Sequence, residues 1–492
     1  MSTAVLETRR DRRNRATALA GAPLREMASH PKVTPGTGAA DRADPFWGGM
    51  WTNGSSASWV SEELAKRQVA SGLAKMPARL SMDVDAAMEV LTSTRSRGAR
   101  LSAFAAADQW RTLSEEQLGA LTGWTTLNSA RSKILAAAFT TGIFDVGTFV
   151  NPLMRARQAD RPRLVRPSRS MRFAELIEPD LSFQEKVSVT GGYPWDFRRQ
   201  YDRHNLISTE LGLRVAEFCE VGTVLGEKLS TVDLLSWSGL GRAGECPDKR
   251  AADLTIVRQD GLRIAVELTA SAGGDFARKV RRWAHLLADN SLASSGLVVL
   301  FVEAAPPDNA VRAADRQRLL IEEVRKQVAK VVLEFPGTAG DRVAARIGVA
   351  RWQDWFPSSH RANPGFASLD AVCPTGPPAR PGQPDSRWEP VSFLDPFDLE
   401  FAPHDPAAMT SVISHASMLL GVPHWLRDAS TAPPLWPVQM ADLGLDELPS
   451  SPPSRINRFT GARAVLAAGV PGLTIAPDRM RVDLPGWPGA GA

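Results

Sequence analysis

Cysteine is scarce in this chain: Cys219, Cys246 and Cys373 are the only three in 492 residues, and no C-x-x-C spacing joins them. That scarcity excludes a disulfide framework and leaves no zinc-ligand pattern. The seven histidines are scattered rather than clustered. No apolar run approaches the roughly 18 residues that a membrane span requires, so no membrane association is expected. The amino terminus carries Arg9, Arg10, Arg12, Arg13 and Arg15 without a following apolar stretch. A secretory signal therefore lacks its central part, and a cytoplasmic chain is expected. Internal repeats are also missing.

What remains is the composition of a folded chain, with 43% hydrophobic and 23% charged residues. Its length implies two or three globular units rather than one core. A net charge of +4 is a mild excess for that length and does not by itself indicate nucleic acid. The distribution is more telling. Arg155, Arg157, Arg161, Arg163, Arg166, Arg169 and Arg172 follow one another with Asp160 the only acid, in a Pro-containing stretch that reads as extended. Such a strap can track a phosphate backbone by displacing condensed counterions, and a solvated linker is the alternative.

Composition divides the chain into five segments. Residues 1–60 are rich in Gly, Ala, Ser, Pro and Arg and read as a disordered basic arm, with Trp47, Trp51 and Trp59 as possible docking points. Residues 61–152 carry helical patterns, among them Val84, Met88 and Leu91, and a helix-turn-helix. An Arg/Pro-rich linker spans 153–200, and an α/β unit spans 201–358. Residues 359–492 are Pro-rich with one clear helix, in which Pro406 follows the cap Asp405 and Met409, Val412, Ile413, Ala416 and Leu420 form the apolar face before Gly421.

Residues 98–150 have the plan of a winged helix. Leu101, Phe104, Ala105 and Ala107 supply the first helix ahead of Trp110. Ser114 and Gln117 form a capping box for a second, with Leu118 and Leu121 inward until Gly123. The third is expected from Leu127 to Thr141, with Leu127, Ile134, Leu135, Ala138 and Phe139 buried. Asn128, Ser129, Arg131, Ser132 and Lys133 then face outward and offer base-edge and phosphate donors to a major groove. Ile143–Val150 is expected to form the wing as a small hairpin with Gly147 at its tip. With Arg161, Arg163 and Arg166 of the strap, these residues form the expected interface with double-stranded DNA. Winged helices also serve as protein-docking modules.

The 201–358 unit reads as α-β-β-β-α-β. A helix over 204–222 places Leu206, Glu210, Leu213 and Glu217 along one stripe. Strands are expected at Leu229–Trp237, Ala252–Val257 and Leu262–Thr269, the last two joined by a Gln259–Asp260–Gly261 turn. Phe276, Val280, Trp283 and Leu287 mark a helix with Arg278, Lys279, Arg281, Arg282 and His285 outside. A strand at Gly296–Val302, a long helix through Val331 and a strand near Ala345–Arg351 follow.

That order, with Asp253 opening one hairpin strand and Glu267 in the next, resembles the PD-(D/E)XK nuclease superfamily. The resemblance implies a restriction-endonuclease-like fold in which Asp253 and Glu267 hold Mg²⁺, with Glu210 or Glu217 as a further ligand. A lysine two residues after the Glu would position the attacking water, but Thr269 occupies that place. Lys279 on the following helix is the substitute candidate, as a catalytic group or a phosphate contact. More narrowly, the Arg-rich winged helix followed by Asp248 or Asp253 and the Ile264–Thr269 strand resembles the replication-relaxation family of plasmids and mobile elements. His204 looks like a recurrent position of that family. The resemblance covers about residues 95–350 and implies a role in plasmid replication or DNA relaxation, with Mg²⁺-dependent nicking if the core is active and no cofactor otherwise. The alternative is a transcriptional or partition regulator whose core is inactive. The structural alternative is a solvent-exposed hairpin-edge acid for Asp253 and an ion-pair partner of Arg278 or Arg282 for Glu267, and the Pro-rich carboxyl-terminal region is a candidate site for a protein partner.

Overall fold

The computed structural model of the chain describes residues 21–427, apart from 49, 51–54, 130, 151–161, 192–193, 196, 198–199, 231–251, 306–310 and 377–386. It is a mixed α/β structure built on a four-stranded and a seven-stranded sheet, with a two-residue ladder joining Ala22–Pro23 to Arg361–Ala362.

The four-stranded sheet takes β1 (Ser56–Val60), β2 (Leu113–Ser114), β3 (Phe144–Val150) and β4 (Arg163–Pro167) in the order β1-β3-β4-β2, all antiparallel. Four helices surround it: α1 (Val84–Thr92), α2 (Arg97–Trp110), α3 (Glu115–Thr122) and α4 (Lys133–Thr140). Ser114 and Gln117 close the expected capping box at the start of α3. The third helix is shorter than its pattern suggested. Thr125–Asn128 form a 3-10 turn, and α4 begins only after Ser132, whose hydroxyl accepts the Leu135 N–H at 3.4 Å. Polar Asn128, Ser129 and Ser132 favour such local side-chain bonds over helical continuation. From Ile134 to Thr140 every residue of α4 is buried.

The wing differs too. β3 is one long strand flanked by β1 and β4, and Gly147 lies mid-strand rather than at a hairpin tip. A Cβ at Gly147 would stand 2.6 Å from the Trp59 ring and 2.9 Å from the Ser58 carbonyl oxygen, so the glycine admits the tryptophan of β1. The Arg-rich stretch is no free strap where it is described: β4 belongs to the sheet, and Phe183–Thr190 is a helix capped by Ser182 and Glu185. The basic arm is likewise packed between residues 21 and 48, because Arg42 and Asp44 are buried against charged partners that order it.

In the larger unit, α5 (Asp202–Phe218) precedes β5 (Thr223–Gly226), β6 (Leu254–Val257) and β7 (Arg263–Thr269). Then come α6 (Gly274–Asp289), β8 (Leu297–Glu303), α7 (Val311–Ala329), β9 (Ile347–Arg351), β10 (Asp370–Gly376) and β11 (Arg387–Ser392). The sheet order is β11-β10-β9-β8-β7-β6-β5, with β7, β8 and β9 parallel and the other neighbours antiparallel. Among the described residues the first strand of this unit is Thr223–Gly226, ahead of the expected Leu229–Trp237. Leu229 ends a 3-10 turn, and residues 231–237 lie outside the described residues. Both faces of the parallel strands are covered, which explains the continuous apolar runs Ile264–Val266 of β7 and Leu297–Val302 of β8. Ile264, Val266 and Leu268 share one core with Ile207, Leu211 and Val215 of α5. Ala265, Val299 and Phe301 share another with Val280 and Trp283 of α6 and Val324 and Val328 of α7.

The two units are packed together. A Cβ on Gly212 of α5 would lie 2.7 Å from the Trp110 ring of α2, and the Trp110 Nε1–H donates to the Gly421 carbonyl at 2.8 Å. Gln117 of α3 donates to the Leu206 carbonyl at 2.8 Å. The carboxyl-terminal region joins this body: β10 and β11 extend the large sheet, a helix at Pro406–Ala416 follows, and the Trp425 Nε1–H donates to the Ala216 carbonyl at 2.9 Å. Among the described residues, no helix is long and apolar enough to cross a membrane.

Candidate active site

Strand pairing sets three acids at neighbouring register positions at one end of the sheet. Leu254 of β6 pairs with Gly226 of β5 on one side and with Val266 of β7 on the other. One step further along each strand stand Glu227, Asp253 and Glu267. The Asp253 carboxylate takes the place of a ladder acceptor, its Oδ2 accepting the Leu268 N–H at 2.6 Å. After β7 the chain turns into α6, which returns over the same face and places Lys279 and Trp283 one helical turn apart.

Both side chains converge on Glu267. The Lys279 Nζ donates to Oε2 at 2.6 Å, and the Trp283 Nε1–H donates to Oε1 at 2.7 Å. The Glu267 side chain is 3% exposed, whereas Lys279 is 36% exposed and links the buried acid to solvent. Burial is the largest influence on Glu267 and raises its pKa; the charge of Asp253 adds to this, while Lys279 opposes it. Lys279 loses solvation, but the charges of Glu267, Asp253 and Glu227 outweigh that loss and hold it as a cation. A buried carboxyl with a neighbouring acid and one lysine is the kind of site where perturbed protonation accompanies chemistry.

Thr269, standing where a catalytic lysine would fall, is buried and donates its hydroxyl to the Ser271 carbonyl at 2.9 Å. Beyond it the strand ends carry Glu303 and Arg351, in register with Thr269 and each other and ion-paired at 3.3 Å.

Glu210 does not join this cluster. The α5 face that carries it is turned to the amino-terminal segment, where Glu210 binds Arg42 and Arg214 at 3.0 Å each with all three side chains buried. Glu217 accepts the Ala39 N–H at 2.9 Å and pairs with Arg42 at 3.4 Å. Both glutamates expected as extra metal ligands are therefore parts of a buried clasp. His204 lies half-buried in the first turn of α5.

The groups expected to meet DNA are separated by the fold. Ser129, Arg131 and Lys133 are exposed, but Ser132 is buried in its capping role. Asn128 gives its carbonyl to Arg163 at 3.1 Å. Arg163 is paired with Glu115, and Arg166 binds Asp145 at 3.2 Å and lies 4.1 Å over the Trp59 ring. Arg161 is outside the described residues.

Sequence reasoning missed Trp283, Glu227 and Asn205, whose Nδ2 donates to Glu227 at 2.8 Å. Trp283 was readable, since it lies four residues after Lys279. Glu227 was hidden because the first strand was expected after it.

Among the described residues, no three His, Cys, Asp or Glu side chains converge to hold a metal ion. Asp253 and Glu267 are of the carboxylate type that Mg²⁺ takes one or two at a time, but both oxygens of Glu267 accept from Lys279 and Trp283, and Oδ2 of Asp253 accepts from Leu268. Compared with known protein families, curated proteins and solved structures, the chain has no significant match.

Proposed function

We propose that this protein processes the DNA of a plasmid or other mobile element in the manner of the replication-relaxation proteins, and that its larger unit is a restriction-endonuclease-like core that cuts phosphodiester bonds. The observation that carries the reading is the meeting of Asp253, Glu267 and Lys279 at one end of the sheet, with the lysine supplied by α6. The element order α5-β5-β6-β7-α6-β8 supports it, as does the order α2-β2-α3-α4-β3-β4, which matches the plan of a winged helix.

In this reading Asp253 and Glu267 hold Mg²⁺, which when bound polarises a phosphodiester and its attacking water. Trp283 fixes one oxygen of Glu267, and Lys279 guides the water and lends positive charge to the phosphate. The water oxygen attacks phosphorus, the bond from phosphorus to the leaving sugar oxygen breaks, and protons are exchanged with solvent. A second reading, an inactive core within a DNA-bound regulator, is favoured by Thr269 and by the completed contacts of Glu267.

Supercoiled plasmid incubated with the protein and Mg²⁺ or Mn²⁺ separates the two. Wild type is expected to convert supercoils to nicked circles, and Glu267→Ala to slow this at least about a thousandfold, the scale of removing a central charge-stabilising group. Supercoils retained by wild type would sink the nuclease reading.

A further inference from the structure

The winged-helix plan directs attention to α4, yet that helix is buried from Ile134 onward and offers only Arg131 and Lys133 at its start. The outer stripe of α6 is different. Arg278, Arg281, Arg282 and His285 all stand exposed on it, with side-chain exposure of 71% for Arg278 and 66% for Arg281. At about 1.5 Å per residue the stripe runs about 10 Å, comparable to the rise of about three base pairs along a duplex axis. From the other flank of the same helix, Lys279 reaches inward to Glu267.

Two features adapt the stripe to phosphate. A cleft of about 170 Å³ beside it is lined by Arg278, Arg281, Gln327, Lys330 and Glu334, so cations stand on both of its walls. Arg281 presents its guanidinium edge to Glu334 through two bonds of 2.9 Å, the same fork that grips a phosphate. Its pairing is solvent-exposed and easily exchanged, as is that of Arg278 with Asp275. The pairs of Arg163 and Arg166, by contrast, are partly buried within the first sheet.

We propose that the outer face of α6, with Lys330 across the cleft, receives the sugar–phosphate backbone of a DNA duplex. This rests on the nuclease-like reading above for the identity of the ligand.

The test is fluorescence anisotropy of the full chain with a labelled duplex of about 30 base pairs, in EDTA, over a series of salt concentrations. The triple variant Arg278→Glu, Arg281→Glu, Lys330→Glu is compared with the double variant Arg131→Glu, Lys133→Glu, each checked for an unchanged thermal melt. A milder triple alanine variant replaces the first if that one unfolds. The expected result is a loss of at least tenfold in affinity for the triple variant, with the salt slope reduced by about two to three. The double variant is expected to stay within twofold of wild type. A duplex bound equally by wild type and the triple variant, or lost only in the double variant, overturns the surface and leaves DNA binding standing. A wild-type protein that binds no duplex at low salt overturns both.

Discussion

The α4 region and the α6 region carry similar basic residues in sequence, but the fold seats their ion pairs at different depths. Arg131 and Lys133 stay exposed at the start of α4, while the arginines of the adjoining β4 are taken up within the first sheet. Arg163 goes to Glu115, Arg166 to Asp145 and Trp59, and α1 packs against the helix itself. Around α6 an apolar stripe of Phe276, Val280, Trp283 and Leu287 faces the sheet, which leaves Arg278, Arg281 and His285 outward in solvent-exposed pairs with Asp275, Glu334 and Asp289 and sends Lys279 to the buried Glu267. Charge in a sequence therefore indicates a partner only after the acids of the same chain have been counted. Here the two regions differ in what their acids leave exposed, and under the proposed function the second is the one that carries chemistry.

That contrast can be attacked at its strongest point, the buried clasp. Arg214 is fully buried between Asp44 at 2.9 Å and Glu210 at 3.0 Å, with Phe356 beneath its guanidinium at 4.5 Å. Arg214→Ala leaves buried carboxylates short of a partner and is expected to cost about 3–5 kcal/mol in denaturant unfolding. A loss under 1 kcal/mol would mean that the amino-terminal segment is not held as described.

A smaller effect probes the packing of the first region. Gly147→Ala drives a methyl group into Trp59 and the Ser58 carbonyl, an overpacking worth about 1–3 kcal/mol. Thermal melting is expected to fall while duplex affinity stays within twofold, because β1 and β3 lie away from the α6 surface. A large affinity loss without a fall in melting temperature would return DNA contact to the wing.

The smallest effect concerns the tail that bridges the regions. Burial first, then the nearby Arg427 charge, lowers the His424 pKa to about 4, and its Nε2 meets the Thr34 hydroxyl at 3.1 Å. The folded ring thus takes up a proton less readily than the unfolded one. Its contribution is complete above about pH 6.5 and is lost as pH falls toward 4. Solvent screening at this partly exposed ring holds the effect to about 1 kcal/mol. His424→Gln is expected to flatten the fall in melting temperature between pH 7 and pH 5, and an unchanged slope would remove the ring from the account.

Much of the core was legible because its signals are local. The Asp260–Gly261 turn between two apolar runs and the 3.6-residue stripe of α6 each declared an element, and together they brought Glu267 within reach of Lys279. The capping box at Ser114 fixed α3 for the same reason. What stayed hidden depends on distant partners. Glu210 and Glu217 looked like spare acids until Arg42, 168 and 175 residues away, was folded against them. Ser56–Val60 is a strand only because Phe144–Val150 offers it an edge, and Gly147 reads as a hairpin tip until Trp59 needs its space. The α4 helix followed its apolar pattern but was cut short by Ser132, a cap that the pattern overran.

The central claim is that α6 supplies the lysine missing from β7, and it is tested most directly by plasmid cleavage with Lys279→Met at saturating Mg²⁺ and retained melting temperature. The account predicts that nicking falls at least about a hundredfold, the scale expected when a positioned charge is removed from the reacting phosphate. Cleavage by Lys279→Met at the wild-type rate would contradict it.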